Sequence, residues 1–343
     1  MAKFIATIKD VAREAGVSIS TVSSVVNGNK PVSEELAARV RQAIEKLEFH
    51  PNHMARSLHA KRTRTLAYLT PDITNVAIIR TFKAVEAAAQ SRGYAVFLLD
   101  TDGSVEMTRE ALEKIIGLRM DGAFLPLSWV FSLPEIRLSQ LVERGIAMVG
   151  VSGSYDIPDV DCFLHDEDGG GQQIGDYLYR LGHRQVVFVG PTPSRSTERR
   201  LGGVRAAYQE NEPGSESDLN LVPTANYSAA AAYDAVQAYL ASRTRFTAMV
   251  AFNDAVATGA LAALSDNGLL VPNDVSFISF GSGHRDFSRP TITSVTFDEE
   301  RIAQLAANRL IDRIGGITTG AEPSDHVYLP LTLTIRQSTK RIV

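Results

Sequence analysis

Ile8-Lys9-Asp10-Val11-Ala12-Arg13-Glu14-Ala15-Gly16-Val17-Ser18-Ile19-Ser20-Thr21-Val22-Ser23-Ser24-Val25-Val26 is the stretch on which the reading turns. Ile8, Val11, Ala12 and Ala15 recur at helical spacing until Gly16 breaks the pattern. Ser18 stands where an N-cap belongs, and Val22, Val25 and Val26 make a second apolar stripe. Two short helices joined by a tight glycine-containing turn form a helix-turn-helix, whose second helix fits a DNA major groove. The same spacing fits an αα-hairpin inside an ordinary helical domain, so spacing alone leaves both open.

Downstream residues favour the first. Asn27-Gly28-Asn29-Lys30-Pro31 reads as a loop, and Ser33 opens a third amphipathic helix carrying Leu36, Val40, Ile44 and Leu47. Phe49-His50-Pro51-Asn52-His53-Met54-Ala55-Arg56-Ser57-Leu58 follows. With these residues in view, the segment resembles the headpiece and hinge of the lactose-repressor family of bacterial transcription regulators. Ala55 to Leu58 match that family's hinge helix, and the likeness runs through nearly the whole chain. Glu48 departs from it, standing where the family often has glycine.

A chain of 343 residues is long enough for two or three domains. Its net charge of −4 divides unevenly. Residues 1–64 carry 11 Lys+Arg against 6 Asp+Glu, and the remainder carries 24 against 33. A small basic domain on a large acidic one suits a nucleic-acid reader joined to a body that avoids phosphates. Cys162 is the only cysteine, which excludes an internal disulfide and a cysteine-based metal site. No basic-then-apolar leader precedes Thr7 and no apolar run approaches a membrane span, so a cytoplasmic location is expected.

After the basic linker Lys61-Arg62-Thr63-Arg64, apolar strands and amphipathic helices alternate. Strands are predicted at 65–70, 94–99, 122–125 and 147–151, with helices around 78–90, 107–118 and 135–144 between them. A second series is predicted to begin near Cys162, with strands at 185–189, 247–251 and 275–279 and helices near 175–181, 201–210, 227–240 and 255–266. This order implies parallel sheets covered on both faces. The expected fold is therefore an all-α helix-turn-helix headpiece over 6–60 and a two-lobed α/β body over 61–343. By resemblance the body is like a periplasmic binding protein, with the ligand in the cleft and a tail that crosses back between lobes. Lobe one is then expected over about 65–161 and 293–320, and lobe two over about 162–292 and 321–343.

No catalytic motif is found. Gly169-Gly170-Gly171 lacks the spacing of a dinucleotide fingerprint, and no phosphate-binding loop of the G-x-x-x-x-G-K-[ST] type appears. Gly150-Val151-Ser152-Gly153-Ser154 lacks the last glycine of a nucleophile elbow, and the seven histidines show no metal-binding pair. His183 reads as a structural residue at a helix end. No cofactor is expected. A ligand-responsive DNA-binding repressor is the leading reading, against an enzyme with an accessory DNA-binding domain or a transport solute-binding protein. Turnover of the ligand would separate an enzyme from a regulator, which returns it unchanged.

The resemblance implies specific residues. Helix two presents Ile19, Ser20, Thr21 and Ser24 to the groove, with Ile19, Ser20 and Ser24 as the specificity positions. Thr7, Ser18, Thr21, Asn27 and Asn29 join the DNA contacts, as do Ala55, Arg56 and Leu58 of the hinge, where Leu58 would wedge into the minor groove. The effector is assigned to Asp72, Trp129, His165, Asp166, Ser194, Ser196, Arg200, Tyr227, Asn253, Asp254, Phe280 and Gly281. Arg200, before Leu201-Gly202-Gly203, matches the family's pocket arginine, and Trp129 either stacks on ligand or packs at a strand end. Gly281 stands where the family has a ligand-binding Asp, and His165 where it often has another. Two acids lost and a cation gained favour an anionic sugar derivative, unless His284 or Asp286 replaces the missing group. A homodimer is expected from the two-fold symmetry of operators, and not a tetramer, because only six residues follow the last predicted strand.

Overall fold

The computed structural model describes residues 6–27, 31–49, 62–127, 136–153, 157, 160–213, 218–242, 244–281, 288–317 and 324–342. Asn29, Ala55, Arg56, Leu58, Trp129, His284 and Asp286 lie outside the described residues, as does the side chain of Asn27. The chain divides into two compact units at Thr63 and Arg64.

In the first unit, α1 (Ile8–Ala15), α2 (Ile19–Asn27) and α3 (Glu34–Lys46) close over Val11, Val22, Val40 and Phe49. The apolar stripes seen in the sequence are this core. The turn after α1 is set by Gly16, whose φ of 63° lets the Val17 N–H reach back to the Ala12 carbonyl at 3.0 Å. A side chain there would press on the guanidinium of Arg39, which donates to the Ala15 carbonyl at 2.6 Å. Helix α3 ends in the same way, with the Phe49 N–H donating to the Ile44 carbonyl at 2.9 Å. Here the left-handed residue is Glu48, with φ 46°. Glutamate therefore occupies a backbone geometry that favours glycine, and the turn forms nonetheless.

In the second unit, lobe one contains β1 (Thr65–Thr70), α4 (Val76–Ser91), β2 (Ala95–Asp100), α5 (Val105–Gly117), β3 (Gly122–Leu127), α6 (Ser139–Val142), β4 (Ala147–Gly153) and β5 (Asp161–His165). Lobe two contains α7 (Glu167–Arg180), β6 (Gln185–Pro191), α8 (Arg195–Asn211), β7 (Asp218–Thr224), α9 (Ala229–Ala241), β8 (Ala248–Ala251), α10 (Asp254–Asp266), β9 (Ser276–Phe280) and β10 (Thr293–Thr296). The tail adds α11 (Glu299–Gly315), β11 (His326–Leu329) and β12 (Thr332–Thr334). Among the described residues the sheet orders are β11-β5-β4-β3-β1-β2 and β12-β10-β9-β8-β6-β7. The two lobes thus repeat one winding, and the pairings are parallel except that β12 runs antiparallel to β10.

Strand β1 shows why the sheet is parallel and buried. Leu66 and Tyr68 face α11, against Ile302, Ala306 and Leu310, while Ala67 and Leu69 face α5, against Leu112 and Ile115. Strand β7 is absent from the sequence reading because Pro223 interrupts its pattern. It lies at the sheet edge, where proline is tolerated.

The expected lobe boundaries need three corrections. β5, including Cys162, pairs with β4 and belongs to lobe one; β10 pairs with β9 in lobe two; and β11 pairs with β5 in lobe one. Strand periodicity records burial and not the identity of the neighbour, so it could not assign these. The tail is fastened by Asp161, whose buried carboxylate accepts from Arg309 at 3.2 Å, from the Asp325 N–H at 2.9 Å and from Arg313. Burial alone would raise this carboxyl, but the hydrogen bonds from Arg313 and Asp325 and the two cationic charges outweigh it and hold it below its ordinary value. His183 is structural, as expected: its ring nitrogens meet Thr247 Oγ1 at 2.9 Å and the Lys340 carbonyl at 3.0 Å.

Replacing Glu48 by glycine removes a left-handed strain of about 1–2 kcal/mol, offset by glycine's unfolded-state entropy of roughly 0.5–1 kcal/mol. The isolated headpiece should therefore gain up to about 1.5 kcal/mol in denaturant melts, and Glu48→Val should lose stability.

Candidate DNA-reading helix and effector cleft

The DNA-reading candidate begins at Ser18, whose Oγ accepts from the Thr21 N–H at 3.1 Å and lies 2.7 Å from Ser20 Oγ. Ser18 therefore starts α2, as the sequence implies, and Ile19 and Ser20 stand exposed on its first turn. Thr21 and Ser24 are half-buried on the same helix. Thr7 caps α1: its backbone N–H and hydroxyl both donate to Asp10, at 2.9 and 2.6 Å. That hydrogen bonding, with the nearby Arg13, holds Asp10 below its ordinary value.

The second unit places a cleft by topology. In a doubly wound sheet, ligands bind beyond the carboxyl ends of the strands, where the winding reverses. The reversal falls between β1 and β3 in one lobe and between β6 and β8 in the other. The segments after β1, β6 and β8 carry Asp72, Ser194 and Asn253-Asp254. Several are also helix caps. Asp166 accepts from the Gly169 N–H at 3.0 Å, Ser194 from Thr197 at 3.3 Å and Asn253 from Val256 at 2.8 Å. Asp72 accepts from the Thr74 N–H at 2.8 Å.

In lobe two these residues meet in a chain of contacts. Tyr227 donates from its hydroxyl to Ser194 Oγ at 3.5 Å, and its half-exposed ring lies 5.3 Å from that of Phe252. Phe252 covers Arg200, whose guanidinium carbon is 4.1 Å from the ring centre, with Phe280 at 4.7 Å and Phe297 at 5.4 Å. Ser196 is half-buried on the first turn of α8.

Arg200 is neither a surface arginine nor an open cation. It is buried, and its Nε and Nη2 donate to Glu167 Oε1 at 2.9 and 2.5 Å, while Nη1 donates to the Phe252 carbonyl at 2.5 Å. Glu167 is equally buried. The two residues meet because α7 and α8 touch through glycines: a side chain on Gly171 would strike the Arg200 carbonyl, and one on Gly203 the Asp168 carbonyl. The glycine run that fits no dinucleotide fingerprint has this packing role. Glu167, Phe252 and Phe297 are absent from the sequence reading, since the pairing of Glu167 with Arg200 spans 33 positions and leaves no local pattern.

The gained cation is not there. Burial holds His165 down to about 4, with Arg200 lowering it further and Glu167 and Asp298 opposing, so the imidazole is neutral. Its ring packs edge-on to Phe297 at 4.8 Å, and its buried Nδ1 has no hydrogen-bond partner among the described residues. The missing acid at Gly281 is also accounted for. Gly281 has φ 122°, and a side chain there would run into the Asp254 carboxylate at about 2.6 Å. Asp254 therefore occupies the space that a residue-281 side chain would fill. Both changes remove the basis for expecting an anionic ligand.

A histidine whose folded value lies below its ordinary 6.5 gives stability that is complete above pH about 6.5 and fades as pH falls toward about 4. The loss contributed by His165 is on the order of 3 kcal/mol. His165→Gln should flatten the fall in melting temperature across that window, measured against wild type in the same buffers.

Residues 7–52 match the family model "Bacterial regulatory proteins, lacI family", and residues 176–339 match "Periplasmic binding protein-like domain". The chain is 31% identical over 342 residues to the HTH-type transcriptional repressor PurR of Pectobacterium atrosepticum, covering 97% of this chain and 96% of that one. It is 33% identical over 316 residues to PurR of Salmonella typhi, covering 90% of each. In fold it resembles the lac repressor dimer bound to operator and the anti-inducer ONPF, with a TM-score of 0.84 at 23% identity over 98% of this chain and 100% of that one. The transcriptional regulator CelR in complex with cellobiose gives a TM-score of 0.70 at 26% identity, covering 97% and 99%.

Proposed function

The chain belongs to the lacI family of bacterial regulatory proteins, and we propose that it represses transcription as a homodimer whose operator affinity is switched by a neutral polar molecule in the cleft. It is a DNA-binding transcriptional regulator and not an enzyme. The observation that carries the DNA-binding part is the separate three-helix unit with Ile19 and Ser20 exposed on a helix capped by Ser18. Ile19 offers an apolar face suited to a thymine methyl, and the serines are short. Neither residue type makes a bidentate base contact, so phosphate contacts supply much of the affinity. Leu58 is proposed to add a minor-groove wedge.

For the effector, the neighbouring structures include a regulator bound to cellobiose and another from Enterococcus faecium with bound ribose, both neutral sugars. This cleft suits the same class, since His165 is neutral and Arg200 is already paired. Hydroxyls or ring nitrogens can meet Ser194, Asn253 and Asp254, while Tyr227 offers a ring face. The homodimer reading draws on the exposed apolar residues Ile73, Val76 and Met107 near the amino ends of α4 and α5. No helix among the described residues is long and apolar enough to cross a membrane.

Electromobility shifts should lose roughly a thousandfold in affinity between about 50 and 200 mM salt if several phosphates are contacted. A salt-insensitive complex would refute the phosphate-led model. Calorimetric titration with matched neutral and phosphorylated sugars tests the cleft: a neutral sugar should bind and change operator affinity. The reverse pattern would overturn the neutral-effector reading. Sedimentation should give a dimer that Val76→Asp dissociates, and a tetramer or a monomer in the wild type would contradict the assembly.

A further inference from the structure

We infer that Glu167 is the residue that sets the charge class of ligand this cleft accepts, by serving as a resident carboxylate on Arg200. The inference rests on reading the cleft as the effector site, and goes beyond it by assigning selectivity to a residue outside the expected ligand set. An arginine recognises a carboxylate or phosphate through paired N–H groups along an edge of its planar fork. In this protein the Nε and Nη2 edge is taken by Glu167 Oε1, at 2.9 and 2.5 Å, and Nη1 holds the Phe252 carbonyl. The faces of the fork lie against Phe252 and Phe280 at 4.1 and 4.7 Å. An incoming anion must therefore displace Glu167 or lie beside it.

Neither route is favourable. Glu167 is the first residue of α7 and is buried, with its carboxylate held by two N–H groups of Arg200, so displacing it breaks both bonds where little water can replace them. An anion beside it would face the like charge of Glu167 in a site with little water to screen it. A neutral ligand meets no such penalty. Glu167 thus performs inside the fold what an anionic ligand would otherwise perform.

The test uses the full-length protein, thermal melts and calorimetry at matched ionic strength, with inorganic phosphate, gluconate and glucose 6-phosphate as anionic probes. Wild type should show no saturable response to any of them. Glu167→Gln, which leaves Arg200 without its counter-charge, should gain saturable stabilisation by at least one probe, with affinity improved by roughly tenfold or more. Glu167→Asp keeps the charge and should reject anions as wild type does. Anion binding by wild type equal to that of Glu167→Gln overturns the proposal. Equal gain by Glu167→Asp also overturns it, because loosened packing would then be the cause. If Glu167→Gln fails to give a cooperative melt, phosphate but not chloride should restore one; no restoration by any probe counts against the proposal. A neutral sugar that alters operator affinity in wild type, with no anion gained by Glu167→Gln, sinks Glu167's role and leaves the cleft reading intact. If no neutral or anionic probe binds either protein, both fall.

Discussion

The elements of lobe two meet at a buried ion pair, Arg200 with Glu167, at the place where α7 and α8 touch. A buried pair of this kind contributes little over an apolar replacement, because desolvation offsets most of the attraction. Removing one partner is another matter, costing about 3–5 kcal/mol by leaving a charge without compensation. The pair is therefore better understood as fixing an arrangement than as adding net stability. It sets the rotamer of Arg200, aligns the guanidinium between Phe252 and Phe280, and ties the first turn of α7 to the end of β8 through the Phe252 carbonyl. Phe252 in turn touches the half-exposed ring of Tyr227, and Phe297 also approaches Arg200.

The helix-start signals in the effector body do two jobs. Asp166, Ser194 and Asn253 end the exposed backbone of α7, α8 and α10, and these amino ends carry partial positive charge toward the cleft. Left alone, that field would attract anions. It is offset by acids in the first turns, Glu167 and Asp168 on α7 and Asp254 on α10. Asp168 is further paired with Arg199 at 2.7 Å. The first-turn acids therefore oppose the attraction of anions to these amino ends.

Much of the fold was legible because it is written in local patterns. The helix-turn-helix follows from the spacing of Val11, Ala15 and Val22 around Gly16, and the alternating strands and helices of the body from runs such as Leu66 to Leu69. What was not legible depends on partners distant in sequence. The lobe assignments of β5, β10 and β11 follow from pairing choices that periodicity does not record. Asp72, Ser194 and Asn253 follow β1, β6 and β8 beside the winding reversals, whereas Arg200 lies inside α8 and Tyr227 follows the edge strand β7. The charge state of such a cluster is not a sum over residue types. A histidine in sequence is a candidate cation, yet burial beside Phe297 makes His165 neutral. A missing acid at Gly281 reads as lost charge until the Asp254 carboxylate is found in its space.

The same cluster sits where the lobes are joined. The chain passes between lobes three times, after His165, after Phe297 and after Leu329. These crossings are linked: the Asp166 N–H donates to the Leu329 carbonyl at 2.8 Å, and the Phe297 ring packs on His165 at 4.8 Å. Arg200 approaches Phe297, and Arg199 lies over Tyr328 on β11 at 5.5 Å. On the proposed effector reading, a ligand held by the groups around Arg200 would bear on all three connections at once. Two lobes joined by three strands can change their angle only if those strands adjust together, which makes the change discrete. Binding energy moves such an equilibrium only by the difference in affinity for its two arrangements. On that reading, contacts placed at the crossings themselves are the ones that would differ between them, and effector recognition and lobe movement would draw on the same few side chains.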